Sequence, residues 1–215
     1  MKLLIMIFKS LQRVTENGLI ALSGLINGLG SRVNVNEFGQ YLVWALQGKD
    51  DECIRIACGL VSDVAGALHD GVKRYLNDFV PPLIKILRDQ DQDRNSKLQA
   101  IVALGDLAMN SGEAFNFYLA DVLKILESAS QQSMILPSQI GDDQDLADYL
   151  EQLRDILVET YTTIVHGVTQ AHTKQSLVLA APSILGFLER LVQFQGSKVS
   201  INQEDSFSEF SRRPT

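Results

Sequence analysis

The chain has 215 residues, of which 46% are hydrophobic and 21% charged, and its formal net charge is −7 at pH 7. This composition is typical of a folded globular protein and excludes a wholly disordered chain. The acidic balance argues against direct nucleic-acid binding, which needs a concentration of Lys and Arg, and it favours a basic partner. Because no apolar run approaches the roughly 18 residues that span a bilayer, we expect no membrane insertion.

Apolar residues recur at helical spacing along almost the whole chain, and turn residues separate these segments about every 20 positions. The pattern predicts a train of antiparallel helices without strands. We expect an array of about four helix pairs plus one helix over 1–195, followed by a disordered polar tail over 196–215. The predicted helices cover 2–12, 15–30, 37–47, 51–69, 72–89, 94–111, 113–131, 144–168 and 176–195.

Turn and capping residues mark several helix ends. Gly71 and Gly112 stand where a helix commonly closes with a left-handed residue. Pro81-Pro82 falls inside the predicted helix 72–89 and predicts a kink or a late helix start. Carboxylates that can cap free N–H groups precede the second helix of two pairs, at Asp50, Asp51, Asp91 and Asp93.

A repeat of fixed length underlies these helices. Four pairs of identical residues are each separated by 43 positions: Asp63 and Asp106, Ala65 and Ala108, Tyr75 and Tyr118, and Leu76 and Leu119. A period of this size is typical of helical-pair repeats of the HEAT or armadillo type. We therefore predict an all-α fold, a HEAT-repeat α-solenoid in which antiparallel helix pairs form a right-handed superhelical stack, and whose extended surface binds another macromolecule.

Specific phrases within this repeat resemble the C-terminal third of the importin-β family of nuclear transport receptors. The resemblance runs from about residue 16 to 195, and it includes the order of the phrases and an acidic loop before residue 148. The family's arrays are much longer, so we expect exposed apolar surface at both ends of this chain. The phrases are 59–68, Ala103-Leu104-Gly105-Asp106-Leu107-Ala108, Phe115-x-x-Tyr118-Leu119, and the run from Asp148-Tyr149 to Ile164-Val165-x-Gly167.

The resemblance implies a non-enzymatic import receptor of the cytoplasm and nucleus, including the nuclear envelope and pore. Its implied partners are the importin-α adaptor or another basic cargo on the concave face, and Phe-Gly repeats of nucleoporins on the outer face. Ran-GTP is a further implied partner, through repeats mostly absent from this chain. The resemblance also suggests that Arg55 and Lys97 take part in an Asp–Arg ladder between adjacent repeats.

Asp63 and Asp106 occupy the same helix position in successive repeats. They are candidates for a row of carboxylates on the inner surface, where a basic partner would bind. The alternative is structural, because such residues can also cap or pair with groups of the neighbouring repeat.

A second acidic group follows helical spacing, with steps of 3, 4 and 4 residues along the helix predicted at 144–168. Its members are Asp148, Glu151, Asp155 and Glu159. Such a stripe is either the solvated face of the helix or, as the resemblance suggests, a surface that attracts a basic helix of cargo or adaptor.

Aromatic residues lie on the first helices of the pairs, where we expect Phe115, Tyr118 and Trp44 to pack in the core. Phe117 is rotated by about 200° from Phe115, so it should lie nearer the surface. We predict that Phe117 borders a groove between the helices at 72–89 and 113–131, and the resemblance suggests that this groove binds Phe-Gly repeats.

We find no catalytic residues, metal site or cofactor motif in the sequence. His69, His166 and His172 lack the spacing of metal ligands, and phosphate-loop, dinucleotide and nucleophile-elbow motifs are absent. Cys53 and Cys58 lie five residues apart on one predicted helix, so we expect free thiols. A generic HEAT-repeat scaffold for an assembly unrelated to nuclear transport is the alternative function, and an enzyme ranks third.

Overall fold

The computed structural model describes residues 12–135, 137–170, 178 and 180–195, and the regular secondary structure in these residues is helical. The helix predicted at 2–12, except its last residue, and the tail predicted at 196–215 lie outside the described residues. Short 3-10 helices cover Gly30–Arg32, Val35–Glu37, His69–Tyr75 and Gly112–Phe115. The α-helices are α1 (Gln12–Leu29), α2 (Gly39–Leu46), α3 (Asp51–Leu68), α4 (Leu76–Arg88), α5 (Arg94–Ser111), α6 (Asn116–Gln132), α7 (Pro137–Ile140), α8 (Gln144–Gln170) and α9 (180–195).

The helices form two layers, as predicted for a HEAT-repeat solenoid. In the second-helix layer, α1, α3, α5 and α8 pack side by side in chain order, each against the next. In the first-helix layer, α2 packs on α4 and α4 on α6. α9 follows α6 in this layer, because its Phe187 packs against Tyr161 of α8 and its Arg190 donates to Ser130 of α6. One apolar core runs between the layers.

Carboxylate caps begin two of the second helices, as the sequence predicts. The Asp50 Oδ1 atom accepts a hydrogen bond from the Cys53 N–H at 2.8 Å, and Asp93 Oδ2 accepts from the Ser96 N–H at 3.0 Å. Asp51, the first residue of α3, instead accepts from the Gln92 amide at 2.7 Å and so joins two adjacent pairs.

The late helix start expected near Pro81-Pro82 is observed, but the prolines are not its cause. α4 starts late, at Leu76, and is preceded by the 3-10 helix His69–Tyr75, with Pro81-Pro82 inside the α-helix. α6 starts in the same way after Gly112–Phe115 although it contains no proline. The late start is therefore a property of the repeat and does not depend on Pro81-Pro82.

Trp44 is not in the core, which contradicts the expectation from sequence. Its side chain is 52% exposed, whereas Leu42, Ala45 and Leu46 of the same helix are buried. Since α2 has only two turns, it buries one narrow face, and Trp44 is rotated by about 200° from Leu42. Cys53 and Cys58 are free and buried, as expected.

Exposed apolar side chains occur on the first and last described helices; the chain ends, where exposed apolar surface is expected, lie outside the described residues. Ile20 and Leu25 are exposed on α1, and Leu185, Leu188 and Val192 on α9. None of the helices in the described part of the chain combines the length and hydropathy needed to cross a membrane.

Backbone contact between α5 and α8 is the tightest feature of the second-helix layer. A Cβ atom on Gly167 would lie 2.3 Å from the Ala108 carbonyl oxygen, and one on Gly105 would lie 2.6 Å from Thr163 Oγ1. Only glycine allows this approach at position 167, because the obstructing atoms belong to the backbone of α5.

We predict that Gly167→Ala lowers the free energy of unfolding by about 2 kcal/mol or more, since the added methyl group forces α5 and α8 apart. Urea denaturation followed by circular dichroism measures the effect. The matched control is Gly66→Ala, because Gly66 lies in α3 with no atom within 4 Å of the added Cβ. This control should gain about 0.5–1 kcal/mol from helix propensity. Equal effects of the two substitutions would contradict the close contact.

Gly112 ends α5 with φ 53°, as predicted, but Gly71 does not end α3. His69 ends α3 with φ 46°, and it is separated from Gly112 by the repeat period of 43 residues. Gly71 lies two residues later, within a 3-10 helix. A non-glycine residue in this left-handed conformation is strained.

His69→Gly should therefore raise the free energy of unfolding by about 1 kcal/mol, because it relieves the strain at positive φ. Thermal and urea denaturation measure the change. The control is His69→Ala, which loses the same imidazole ring but keeps the Cβ atom. A similar gain in both variants would attribute the effect to the ring and contradict backbone strain.

Candidate binding surfaces

Asp63 and Asp106 line the same cavity on the second-helix layer. The cavity has a volume of about 430 Å³ and lies between α1, α3 and α5. Its walls contain these two carboxylates and the amides of Asn27 and Asn110, but no Lys or Arg. A cationic side chain would therefore meet acceptors and no like charge in this cavity.

Asp63 also has a structural role. One carboxylate oxygen accepts a hydrogen bond from the Ser23 hydroxyl at 2.5 Å, and the other accepts from the Asn27 amide at 3.3 Å. Both donors belong to α1, so these bonds tie α3 to the preceding second helix, as the structural alternative expected. An ionised carboxylate has further acceptor sites, so these bonds leave it able to receive another donor.

Asp106 lies close to two other acidic groups. Burial raises the pKa of the Asp106 carboxyl above its ordinary value; the nearby Ser62 hydroxyl opposes this shift, and the negative charges of Glu159 and Asp63 add to it. Asp63, Asp106 and Glu159 thus form one row on three consecutive second helices, α3, α5 and α8. We call these three residues the carboxylate row.

The stripe predicted on α8 is exposed at all four positions. The buried residues of this helix, among them Leu150, Leu153 and Leu157, lie on its opposite side. Glu159 is the member of the stripe that the fold brings next to Asp106. Asp148 lies at the other end of the stripe, roughly 16 Å from Glu159 along the helix axis. It accepts a hydrogen bond from the Gln144 amide at 2.6 Å.

Arg154 offsets part of the negative charge of the stripe, which the sequence interpretation did not consider. Its side chain is 8% exposed, and its Nη1 atom donates to the Ser133 carbonyl at 2.6 Å. Burial lowers the pKa of this guanidinium, whereas the neighbouring charges of Glu151 and Asp155 raise it. Glu151 and Asp155 therefore already have a cation nearby.

The expected Asp–Arg ladder is present only as a charge interaction at Arg55. This residue donates to both carboxylate oxygens of Glu52, within its own helix, and the negative charge of Asp93 in the next pair also raises the pKa of its guanidinium. The first-helix layer is instead joined by tyrosine–asparagine bonds: the Tyr75 hydroxyl donates to Asn36 Oδ1 at 3.1 Å, and Tyr118 donates to Asn77. The sequence contains a signal for this pattern, because the two tyrosines lie 43 residues apart and their two asparagine partners lie 41 residues apart.

The aromatic residues at the start of α6 and in the 3-10 helix before it are oriented as predicted. Phe115 is buried, Tyr118 is half-buried, and Phe117 is 84% exposed. The Phe117 ring contacts the Tyr118 ring edge to face at a centroid distance of 4.9 Å. On the same layer, one repeat earlier, a cavity of about 490 Å³ lies between α2 and α4 and is lined in part by Tyr75 and Phe79.

One group of possible metal ligands occurs in the described residues. The ligand atoms of Glu16, Asp50 and Cys53 lie within 4.8 Å of one another. Burial raises the pKa of the Cys53 thiol to about 12, with a further increase from the nearby Asp50, Glu16 and Glu52. The Cys53 thiol therefore stays protonated at neutral pH in the metal-free protein.

Comparisons with known proteins agree with the two-layer helical stack. The family model described as importin subunit beta-1-like, TPR repeats, matches residues 1–205. The chain belongs to the importin-β family. A crystal structure of importin-β in a polyethylene glycol condition shares the fold, with a TM-score of 0.77 and 24% identity, and the match covers 89% of this chain and 23% of that chain.

Two curated relatives of the importin-β family are importin subunits beta-1. The protein of Arabidopsis thaliana is 28% identical over 179 residues, which are 82% of this chain and 20% of the relative. The protein of Schizosaccharomyces pombe is 32% identical over 175 residues, which are 80% of this chain and 19% of the relative. The chain thus spans about a fifth of the length of these relatives.

The raised pKa of Asp106 predicts the pH dependence of stability. A carboxyl whose pKa is higher in the folded than in the unfolded state destabilises the fold as pH rises through the interval between the two values. Asp106→Asn should therefore be more stable than the wild type at neutral pH, and this gain should shrink towards pH 4. Thermal denaturation between pH 4 and 7.5 measures the difference.

The comparison variant is Asp63→Asn, which loses the charge-assisted bonds from Ser23 and Asn27 and should be less stable than the wild type at neutral pH. A gain in stability there would contradict the structural role of Asp63.

Proposed function

We propose that this chain acts in nuclear transport as a binding module for a basic helix of cargo or of the importin-α adaptor. The carboxylate row is the observation that carries the proposal. The row places Asp63 and Glu159 each within electrostatic reach of Asp106, and Asp63 and Asp106 line a cavity whose walls contain no cation. Together with family membership, this favours a basic partner in the cytoplasm and nucleus.

The geometry of the row suits a helix as ligand. Packed helices lie about 8–10 Å apart, so carboxylates on consecutive second helices repeat at about that distance. Residues seven positions apart on an α-helix are separated by roughly 10 Å along its axis. A helix that carries Lys or Arg at every seventh position, laid across the second helices, can therefore pair with successive members of the row. Long-range attraction by the net charge of −7 assists the encounter.

The test compares the wild-type chain with the double variant Asp106→Asn/Glu159→Gln, using fluorescence anisotropy and a labelled peptide of the basic N-terminal segment of importin-α. Removing two negative charges should weaken binding by about tenfold, or about 1.4 kcal/mol. The salt dependence of the affinity should fall as well, because fewer ionic contacts remain.

The matched control for this experiment is Asp121→Asn, a charge removal at an exposed position of α6 in the first-helix layer. This variant should bind like the wild type. Glu151→Gln/Asp155→Asn should weaken binding less than the Asp106/Glu159 variant, because Arg154 already offsets those charges. Unchanged affinity of the folded Asp106→Asn/Glu159→Gln variant would disprove the role of the row.

On the first-helix layer we propose contact with Phe-Gly repeats of nucleoporins. Phe117 offers an exposed ring, and the half-buried ring of Tyr118 lies edge-on beside it. A single phenyl contact contributes only a few kcal/mol, so each site should be weak and several must act together.

Phe117→Ala should reduce the chemical-shift changes that a Phe-Gly peptide causes around Tyr118 in an NMR titration. The protein should stay folded, because 84% of the Phe117 side chain is exposed. Trp44→Ala removes another exposed aromatic ring of the first-helix layer and is the matched control. If Phe117→Ala leaves the titration unchanged, Phe117 is not part of a Phe-Gly site; shifts at Tyr75 and Phe79 instead would place the peptide in the cavity between α2 and α4.

A further inference from the structure

A cavity of about 480 Å³ opens where the ends of α4, α5, α6 and α8 meet, and we call it the edge cavity. Its floor is apolar. Ile101 and Leu153 are buried there, and Leu87 and Ile125 are half-buried. The half-buried ring of Tyr149 closes one side. An apolar side chain that entered the cavity would find partners on four helices.

The rim of the edge cavity is polar and carries two cations, Arg88 and Lys97, against one acidic residue, Asp89. Asp89 already accepts a hydrogen bond from the Asp91 N–H at 3.0 Å. The Lys97 ammonium donates to the Gln90 carbonyl at 3.5 Å, the outer limit of a hydrogen bond. Among the described residues the ion pairs are Arg55–Glu52 and Lys73–Asp70, so neither rim cation has a carboxylate within ion-pair distance.

Other rim groups suit a peptide backbone. The exposed side chains of Gln90, Ser128 and Gln132 line the mouth of the cavity and can donate and accept hydrogen bonds. An extended peptide could pair its N–H and C=O groups with them while one side chain enters the floor. Arg94 lies beside the same wall, with its guanidinium 5.3 Å from the centroid of the Tyr149 ring, and the nearby negative charge of Asp93 offsets it, so the net positive charge of the rim comes from Arg88 and Lys97.

We infer that the edge cavity binds an acidic peptide segment that inserts one bulky apolar side chain and carries carboxylates beside it. The apolar side chain supplies the free energy of burial, and the carboxylates select orientation by pairing with Arg88 and Lys97. This site differs from the carboxylate row in charge and in position, so it selects a different class of partner. A basic helix on the row and an acidic segment in the edge cavity can bind at the same time.

The test is a methyl-NMR titration of the full chain with the blocked tripeptide acetyl-Glu-Phe-Glu-amide. Saturable shifts should appear at the methyl groups of Ile101, Ile125 and Leu153. Two altered peptides separate the contributions. Acetyl-Lys-Phe-Lys-amide keeps the phenyl ring and reverses the charges, whereas acetyl-Glu-Ala-Glu-amide keeps the charges and removes the ring. Both should bind more weakly than the first peptide.

Protein variants test the same site from the other side. Arg88→Gln/Lys97→Gln should weaken binding of acetyl-Glu-Phe-Glu-amide about fivefold, in line with two exposed charge pairs. The matched control is Lys85→Gln/Lys124→Gln, which removes two exposed cations of α4 and α6 outside the cavity. Ala129→Leu should abolish the shifts, because Ala129 lines the cavity and the larger side chain fills it. All variants are first checked for folding by thermal denaturation.

Three results would overturn the inference. Equal affinity of the Lys-containing and Glu-containing peptides would show that charge plays no role at the rim. Unchanged binding by folded Arg88→Gln/Lys97→Gln would show the same from the protein side. Absence of saturable shifts at Ile101, Ile125 and Leu153 with acetyl-Glu-Phe-Glu-amide would show that no such peptide enters the cavity.

Discussion

The close approach of α5 and α8 determines where two acidic residues of this chain lie, Asp106 and Glu159. A Cβ atom on Gly105 would contact Thr160 and Thr163, and Gly167 leaves even less room against Ala108. Asp106 follows Gly105 in sequence, and Glu159 precedes Thr160. The contact that buries the small residues therefore brings these two carboxylates together, at a cost that appears in the raised pKa of Asp106. Packing thus fixes the positions of Asp106 and Glu159, and the burial of the Asp106 charge lowers the free energy of unfolding at neutral pH.

Much of the architecture could be predicted from the sequence, because a repeat copies its geometry. The 43-residue period identifies equivalent residues of successive repeats from the sequence alone, and helical spacing gives the orientation of Phe117. Capping by Asp50 and Asp93 follows from local chemistry that needs only three residues. Membership of the importin-β family followed from phrases that specify more than helix pairs. The fold class and the layer to which most helices belong were correct for these reasons.

The features that sequence analysis missed depend on neighbours that are distant in the chain. Trp44 is exposed because α2 has only two turns and buries one narrow face. The sequence pattern does not show how few residues this helix contains. His69 takes a position that the next repeat gives to Gly112, so residue type alone pointed to the wrong residue, Gly71. Arg154 was overlooked because its partner, the Ser133 carbonyl, is a backbone group and carries no sequence signal. The edge cavity likewise exists only where four helix ends meet.

Neighbouring helices make different contacts in the two layers of the stack. The second helices α5 and α8 are in backbone contact that cannot be compressed, whereas the hydrogen bonds Tyr75–Asn36 and Tyr118–Asn77 add single side-chain links to the packing of the first-helix layer. Such bonds can break and re-form at small net cost. We therefore expect the second-helix layer to be stiffer at α5 and α8 than the first-helix layer. Bending would leave the distance between Asp106 and Glu159 nearly constant, because the backbone contact of α5 and α8 fixes it, and would open or close the grooves between first helices.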